Sequence, residues 1–338
     1  MNVIDMHCDT LMNRYLTVRN KLGFECPDNI EGADLLDSDT MVNLRYLQKG
    51  GAMAQFFAIF MYPKENYRKY NHVEPLPDEV YIAGCIKVFE EALATYPEMI
   101  ASARTADDIC RNFAEGKVSG VLTMEDGRAV DGKLDNLKRY YDMGIRAISL
   151  TWNHFNCFGA PTSRDSNIMR QGLTPFGKDA VAYMQELGIM VDVSHLSDGG
   201  FYDVAEICKK PFIATHSNCR ALSPHQRNLT DDMLKILGNA GGVAGLNFGP
   251  EFLNADVTCK DSTVATIASH ARHMADVGGI ACVAIGTDFD GIHGNMEIPN
   301  CSQMPLLVDA LKAVGFSENE IDQIANKNVL RVMKDTIC

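Results

Sequence analysis

Histidine and carboxylate residues follow several short apolar runs of the sequence, and they are the side chains best suited to chemistry. His7 and Asp9 end the first run two residues apart, Glu125 follows GVLTM, and His195 and His216 follow VDVS and FIAT. Taken singly, each has a structural alternative: a hydrogen-bonded pair, the start of a helix, or a satisfied core histidine. Together, three imidazoles and two carboxylates exceed the needs of one tetrahedral zinc ion. Two ions about 3.5–4 Å apart that share a carboxylate would use all five, so the set predicts a dinuclear hydrolytic metal site.

A further carboxylate, Asp288, lies in the segment IGTDFDG, which has a glycine on either side of it. Glycines allow close approach of the backbone to a ligand. A carboxylate that faces two metal ions could take a proton from a bridging water and pass it to a leaving group, and we assign this role to Asp288. Asp290 competes for the role, and either residue could instead be a loop aspartate or a helix cap. Asp288 is preferred because it is closer to the end of the apolar run.

The elements that must position these side chains follow one repeated theme, an apolar run followed by a longer amphipathic segment. The runs begin at Val3, Ala52, Ser119, Ile145, Ile189, Pro211, Gly241 and Cys282. Helical spacing covers 78–96, 177–187, 200–209, 230–237 and 264–277, with a last helix over 318–334. Eight such units predict a closed (β/α)₈ TIM barrel formed by residues 1–338 as a single domain, with an open doubly wound sheet as the alternative. In such a barrel the carboxyl ends of the strands carry the chemistry, which is where the residues above fall.

Composition narrows the range of partners. The chain of 338 residues has 31 basic and 44 acidic residues, a net charge of −13, which argues against binding to nucleic acid or to an anionic membrane surface. Its eleven cysteines include no C-x-x-C pair, so we expect reduced thiols rather than a disulfide framework. The first residues do not form a basic and then apolar leader, and no apolar stretch approaches 18 residues, so we expect a cytoplasmic protein.

The motifs resemble those of the membrane dipeptidases, also called renal dipeptidases, which are peptidase family M19 of the metal-dependent amidohydrolase superfamily. The resemblance covers nearly the whole chain, in the expected order. It is carried by IDMHCDTL from Ile4, AQFF from Ala54, TMEDG from Thr123, TPFGKDAV from Thr174, DVSHLSD from Asp192, ATHSNCRAL from Ala214, QRNLTDD from Gln226, GTDFDG from Gly286 and NKNVLRVM from Asn326. Many members of the wider superfamily have H-x-H on the first strand and a carboxylated lysine on the fourth. This chain has H-x-D and no lysine in its fourth run.

The resemblance implies a (β/α)₈ barrel with two Zn²⁺ ions per chain. His7 and Asp9 would bind one ion, His195 and His216 the other, and Glu125 would bridge them. Arg227 would bind the terminal carboxylate of the substrate, a role that suits a planar guanidinium. Its local sequence alone would instead indicate a charged residue exposed to solvent at the start of a helix. His154 would hold the substrate carbonyl oxygen, but it aligns only after a small shift, and Trp152 occupies the ungapped position. The resemblance also implies a homodimer. Animal members of the family are secreted and anchored, whereas we expect this chain to be cytoplasmic, so it resembles a bacterial type of relative.

The expected function is therefore hydrolysis of small dipeptides, including ones with a D-amino acid at the C-terminal position, by a metal-bridging hydroxide. A related site could act on N-acyl amino acids or lactams instead. A barrel without catalytic activity is the third hypothesis, and the intact set of candidate ligands argues against it.

Overall fold

Eight parallel strands form a closed barrel in the computed structural model, which describes residues 1–24, 29–70, 72–256 and 258–337. The strands are β1 (Val3–Cys8), β2 (Ala52–Phe60), β3 (Val118–Glu125), β4 (Ala147–Ser149), β5 (Met190–Asp192), β6 (Ile213–Ala214), β7 (Val243–Leu246) and β8 (Val283–Ile285). The sheet runs in the order β2, β1, β8, β7, β6, β5, β4, β3, and β3 pairs back onto β2 from Ala54 opposite Ser119 to Phe60 opposite Glu125. This closure confirms the predicted (β/α)₈ barrel and excludes the open sheet.

The strands are apolar because both of their faces are covered. All residues of β1 and β3 are buried, which is the pattern of parallel strands between a core and a layer of helices. A short strand, Ile100–Ser102, adds to the amino end of β3 and was not predicted from the sequence. Asp261–Ser262 and Asn295–Met296 form a separate two-stranded pair.

The helices connect the strands around the outside of the barrel. The α-helices are Thr10–Leu22, Leu44–Gly50, Lys64–Tyr70, Asp78–Thr95, Ala106–Ala114, Leu134–Asp142, Ser166–Met169, Pro175–Leu187, Asp198–Ile207, Asp231–Asn239, Pro250–Leu253, Val264–Gly278, Leu307–Ala313, Glu318–Asp322 and Asn328–Thr336. The 3₁₀ helices are Gly127–Val130, Ile280–Cys282 and Cys301–Leu306. The last helix predicted over 318–334 is present, and it contains a π-helical turn at Gln323–Lys327 between the α-helical parts Glu318–Asp322 and Asn328–Thr336. None of the helices in the described ranges is both long enough and apolar enough to cross a membrane.

One apolar cluster fills the interior of the barrel. It contains a side chain from every strand of the barrel: Ile4, Met53, Val121, Ala147, Met190, Ile213, Val243 and Ala284. Val329, Val332 and Met333 of the C-terminal helix belong to the same cluster. Most of the strand residues stand at or near the amino ends of their strands, so the C-terminal helix covers that end of the barrel and leaves the carboxyl ends for the site.

The nine cysteines within the described ranges are free, and two others, Cys26 and Cys338, lie outside those ranges.

Candidate metal centre

The histidines and carboxylates singled out in the sequence lie together at the carboxyl ends of the strands. His7 is in β1 and Glu125 is the last residue of β3, whereas His195, His216 and Asp288 follow β5, β6 and β8. His195 and Asp288 have φ angles of 69° and 64°. Residues other than glycine rarely adopt such angles, and those that do cluster at functional sites.

Asp9 lies just beyond the end of β1, so the alternation of side chains along a strand does not determine where its carboxylate points. The pairing of β1 with β2 is irregular between Asp5 and Cys8, and β1 ends at Cys8. Asp9 is the residue that precedes helix Thr10–Leu22, with φ −99° and ψ 20°. Its Oδ1 atom nevertheless lies 3.7 Å from Nε2 of His7.

Glu125 stands between two groups of ligand atoms. Its Oε1 atom is 2.9 Å from Nε2 of His195 and 3.6 Å from Nε2 of His216, and its Oε2 atom is 3.4 Å from Nε2 of His7. The two oxygens of one carboxylate therefore face different histidines. On the side of His7, Oδ1 of Asp288 is 3.8 Å from Nε2.

The Nε2 atoms of His195 and His216 face one another beside Glu125. Nδ1 of His195 is 3.2 Å from Oδ1 of Asn153, an atom that can only accept, so Nδ1 carries the proton. Nδ1 of His216 is 2.7 Å from Oγ1 of Thr215. The two Nε2 atoms are 3.0 Å apart, beside the Oε1 atom of Glu125. With the proton of each ring on Nδ1, three lone-pair donors converge there, an arrangement that a cation fits.

Two buried atoms without hydrogen-bond partners, on the His7 side of Glu125, also indicate a site for a cation. Nε2 of His7 and Oδ1 of Asp9 are buried and have no hydrogen-bond partner among the residues described. Buried polar atoms without a partner are costly, and metal coordination is one way to satisfy them. The donor set on both sides of Glu125, imidazole nitrogen and carboxylate oxygen, suits zinc.

Burial and nearby positive charges keep two of the three histidine rings, His195 and His216, neutral. Burial and the charge of Arg227 lower the pKa of His195 to about 4. Burial, with His7 and Arg227, likewise lowers the pKa of His216 well below its usual range. Both rings are therefore neutral near pH 7, the form in which imidazole binds metals.

The carboxylates give the site an excess of negative charge. Burial opposes ionisation of Glu125, but His7 and the hydrogen bonds of His195 and His216 bring its pKa well below the usual range. Burial would lower the pKa of His7, but Glu125 and Asp9 raise it well above the usual range. Burial and the charge of Glu125 raise the pKa of Asp9 to about 6. The group as a whole thus favours a bound positive charge.

Asp288 differs from the other carboxylates. Burial, opposed by His7 and assisted by the charges of Asp9 and Glu125, raises its pKa to about 7. Its Oδ2 atom accepts a hydrogen bond from Nδ2 of Asn247 at 2.8 Å. A carboxyl group with a pKa near neutrality can both take up and release a proton near pH 7.

Arg227 is buried beside the histidine pair. Its guanidinium donates to Oγ of Ser217 at 2.9 Å and to the carbonyl oxygen of His216 at 3.1 Å, while its Nε has no partner among the described residues. Within those residues no carboxylate forms an ion pair with it. The ring of Phe252 lies 5.8 Å from the guanidinium carbon.

The site opens into a cleft of about 440 Å³. Trp152 and Asn153 line this cleft, and Trp152 packs against Phe60 with ring centroids 5.0 Å apart. His154 is exposed and does not line the cleft; its ring centroid is 5.8 Å from that of Trp152. Asn153 was not identified from the sequence, where nothing but its position before His154 marks it. The other lining residues include Met12, Met41, Asp39, Glu251, Phe252, Asp290, Ile292 and His293.

Residues 1–337 match the family described as membrane dipeptidase, peptidase family M19. The chain belongs to this family. An uncharacterized dipeptidase of Schizosaccharomyces pombe is 31% identical over 339 residues, which cover 99% of this chain and 80% of the relative.

Solved structures of M19 metallopeptidases share the fold. Dipeptidase AC, a metallopeptidase of family M19, has a TM-score of 0.84 and 28% identity, covering 100% of this chain and 99% of the other. A metallopeptidase from Rhodobacter sphaeroides, solved with a phosphinate mimic of the dipeptide L-Ala-D-Ala, has a TM-score of 0.84 and 27% identity, covering 99% of each chain. Membership of a metallopeptidase family agrees with the imidazole and carboxylate groups that converge on either side of Glu125.

Proposed function

We propose that this M19 member is a dinuclear zinc dipeptidase in which the whole chain acts as a single hydrolase domain. His7 and Asp9 would hold one ion, His195 and His216 the other, and Glu125 would bridge them. The observation that carries the proposal is the position of Glu125, whose two oxygens face Nε2 of His195 and Nε2 of His7 at 2.9 and 3.4 Å. Two such ions, when bound, would supply an activated water and polarise the scissile carbonyl.

Asp288 would move the proton from the attacking water to the leaving amine. The same carboxyl group can accept a proton from the water and then release it to the amine. Its Oδ1 atom is 3.8 Å from Nε2 of His7, so it lies at the proposed centre rather than at the edge of the cleft.

Arg227 would bind the terminal carboxylate of the dipeptide. A buried guanidinium without a carboxylate partner is an unfavourable arrangement that a substrate carboxylate relieves. A fork of N–H donors also matches a carboxylate in shape. Binding of a dipeptide mimic with a C-terminal D-alanine by the Rhodobacter sphaeroides relative supports D-residues at this position.

On the carbonyl side, we propose that the cleft residues Trp152 and Asn153 contact the substrate. His154 is the residue implied by family resemblance, but it is exposed outside the cleft. We expect Trp152→Ala to lower kcat/KM more than His154→Ala does; the reverse order would return the role to His154.

The decisive test is Glu125→Gln, which keeps the shape of the side chain and removes its charge. We expect the purified wild-type protein to contain two zinc ions per chain and to hydrolyse dipeptides from a library with L and D C-terminal residues. The variant should lose both zinc and hydrolysis. Full activity in Glu125→Gln, or a wild-type protein that hydrolyses no dipeptide in the presence of zinc, would refute the proposal.

We also propose a homodimer, on the strength of the family resemblance. Light scattering of the purified protein should give twice the chain mass of 37.3 kDa, and a value equal to one chain would contradict it.

A further inference from the structure

We propose that Asp192 and Thr215 are positioning residues that fix the ring of His216 in the tautomer with its proton on Nδ1. The metal-binding consequence of this inference rests on the proposed function, whereas the tautomer itself does not. Neither residue faces the cleft, and neither is a candidate ligand. Both lie behind His216, where their hydrogen bonds determine which nitrogen of the ring is free.

The carboxylate of Asp192 is buried and surrounded by donors. Its Oδ1 atom accepts from the backbone N–H groups of Ser194 and Thr215, each at 2.9 Å. Its Oδ2 atom accepts from Oγ1 of Thr215 at 2.6 Å and from Oγ of Ser149. Two of these four donors are backbone N–H groups, which can only donate, so the oxygens of Asp192 act as acceptors.

The direction of the remaining hydrogen bond follows from this arrangement. The hydroxyl of Thr215 has one proton, and that proton points to the carboxylate of Asp192. Toward His216 the hydroxyl can therefore only accept, so Nδ1 of His216 donates to it across 2.7 Å. The neutral ring then carries no proton on Nε2.

The rest of His216 is held in place as well. Its backbone N–H donates to Oγ of Ser194 at 3.1 Å, and its carbonyl oxygen accepts from Arg227 at 3.1 Å. The ring therefore presents a free Nε2 lone pair 3.6 Å from Oε1 of Glu125 before any ion arrives. Without the hydroxyl of Thr215, the proton could move to Nε2 and would have to be displaced by the incoming ion.

The chain contains a second arrangement of the same kind that serves as an internal control. Thr287 donates its backbone N–H to Oδ1 of Asp5 at 2.9 Å and its hydroxyl to Oδ2 at 2.7 Å. It precedes Asp288, which has no ring proton to direct, and its hydroxyl accepts instead from the backbone N–H of Phe289 at 3.2 Å. Loss of the Thr287 hydroxyl thus removes an equivalent link between neighbouring strands without touching a histidine tautomer.

The experiment compares Thr215→Val, Thr215→Ser and Thr287→Val with the wild-type full-length chain. The first readout is the ¹H–¹⁵N spectrum of the histidine rings in metal-free protein, with the His216 signals identified from their absence in His216→Gln. The second is the affinity for Zn²⁺, measured by competition with a chromophoric chelator. Thermal melting shows that each variant is folded.

We expect Nδ1 of His216 to be protonated in the wild type, in Thr215→Ser and in Thr287→Val, and the proton to be shared between both nitrogens in Thr215→Val. Zinc affinity at one of the two sites should fall by roughly ten- to a hundred-fold in Thr215→Val, the usual effect of losing such an outer partner, and Thr215→Ser should restore it.

An unchanged tautomer in folded Thr215→Val would overturn the inference, as would an equal loss of affinity at the same site in Thr287→Val. The spectrum of the metal-free protein decides the tautomer even if the wild type binds no zinc, an outcome that would refute only the proposed function.

Discussion

Asp288 and Asp290 are two residues apart and line the same cleft, yet their carboxylates have different surroundings. Oδ1 of Asp290 accepts from the backbone N–H of Met41 at 2.8 Å, and Oδ2 accepts from Oγ1 of Thr10 at 2.6 Å. Asp290 therefore holds a loop to the first helix. Asp288 keeps Oδ1 toward His7. This difference supports the preference for Asp288 over Asp290 as the proposed proton carrier.

We predict that Asp288→Asn lowers kcat by about 10²–10⁴-fold, the usual contribution of a general acid or base, because the amide cannot carry the proton. Zinc content should be retained, since Glu125 and the histidines remain. Steady-state kinetics and metal analysis test both statements. The matched variant is Asp290→Asn, which should mainly affect KM and stability. A larger fall in kcat for Asp290→Asn than for Asp288→Asn would reverse the assignment.

Asp126 allows a test of how the stability of the fold depends on pH. Burial raises its pKa to about 6, while its carboxylate accepts from Nδ2 of Asn156 at 2.7 Å. The unfolded chain releases this proton near its ordinary pKa of 3.8, before the folded chain does. The group's contribution to stability is therefore fully present below that pH and is lost as the pH rises through about 6.

Asp126→Asn cannot ionise, so its stability relative to the wild type should increase between pH 4 and pH 7 by about 2–3 kcal/mol. Any change in hydrogen bonding adds an offset that does not depend on pH. Urea denaturation of both metal-free proteins at several pH values measures the difference. A difference that stays constant across this range would show that the carboxyl group has no raised pKa in the folded protein.

At the scale of elements, the sequence predicts the positions of the strands more accurately than it predicts their ends. The eight apolar runs correspond to the eight barrel strands, because burial on both faces leaves a clear composition signal. The irregular pairing that ends β1 before Asp9 has no such signal, since it depends on the neighbouring strand. Likewise the π-helical turn at Gln323–Lys327 leaves the spacing of apolar residues nearly helical. The link from Asp192 through Thr215 to His216 joins separate strands and becomes visible only in three dimensions.

Close contact between strands fixes the position of the segment that carries His216. Gly286 follows β8, and a Cβ atom there would overlap the carbonyl oxygen of Thr215. We predict that Gly286→Ala displaces Thr215 and lowers both zinc affinity and stability, the latter by about 1–3 kcal/mol as in other overpacked cores. Chelator competition and denaturation measure the two effects. Ala284→Gly, on the same strand, should lower stability alone; unchanged zinc affinity in Gly286→Ala would show that the backbone adjusts elsewhere.

For the whole molecule, the net charge of −13 argues against nucleic acid and anionic membranes as partners, but it does not describe the candidate site. Asp9, Glu125 and Asp288 contribute to that sum, yet they are buried around a position suited to cations, while most other carboxylates are on the surface. Composition cannot separate these two groups of acids. Their position at the strand ends can, which is why the site could be predicted from motif order rather than from charge.

The interior apolar cluster and the candidate metal centre lie at opposite ends of the barrel. The side chain of Met333 is fully buried in the interior cluster at the amino end of the strands, and the candidate metal centre is at the carboxyl end. Met333→Ala should therefore lower the free energy of unfolding by about 2–5 kcal/mol, as for other large core residues, with kcat/KM unchanged where the protein is folded. Urea denaturation and dipeptide hydrolysis at low temperature test this separation. The neighbouring variant Lys334→Ala removes an exposed ion pair with Asp107 and should change stability by less than about 0.5 kcal/mol. A fall in kcat/KM for folded Met333→Ala would mean that packing at the closed end reaches the candidate ligands through the strands.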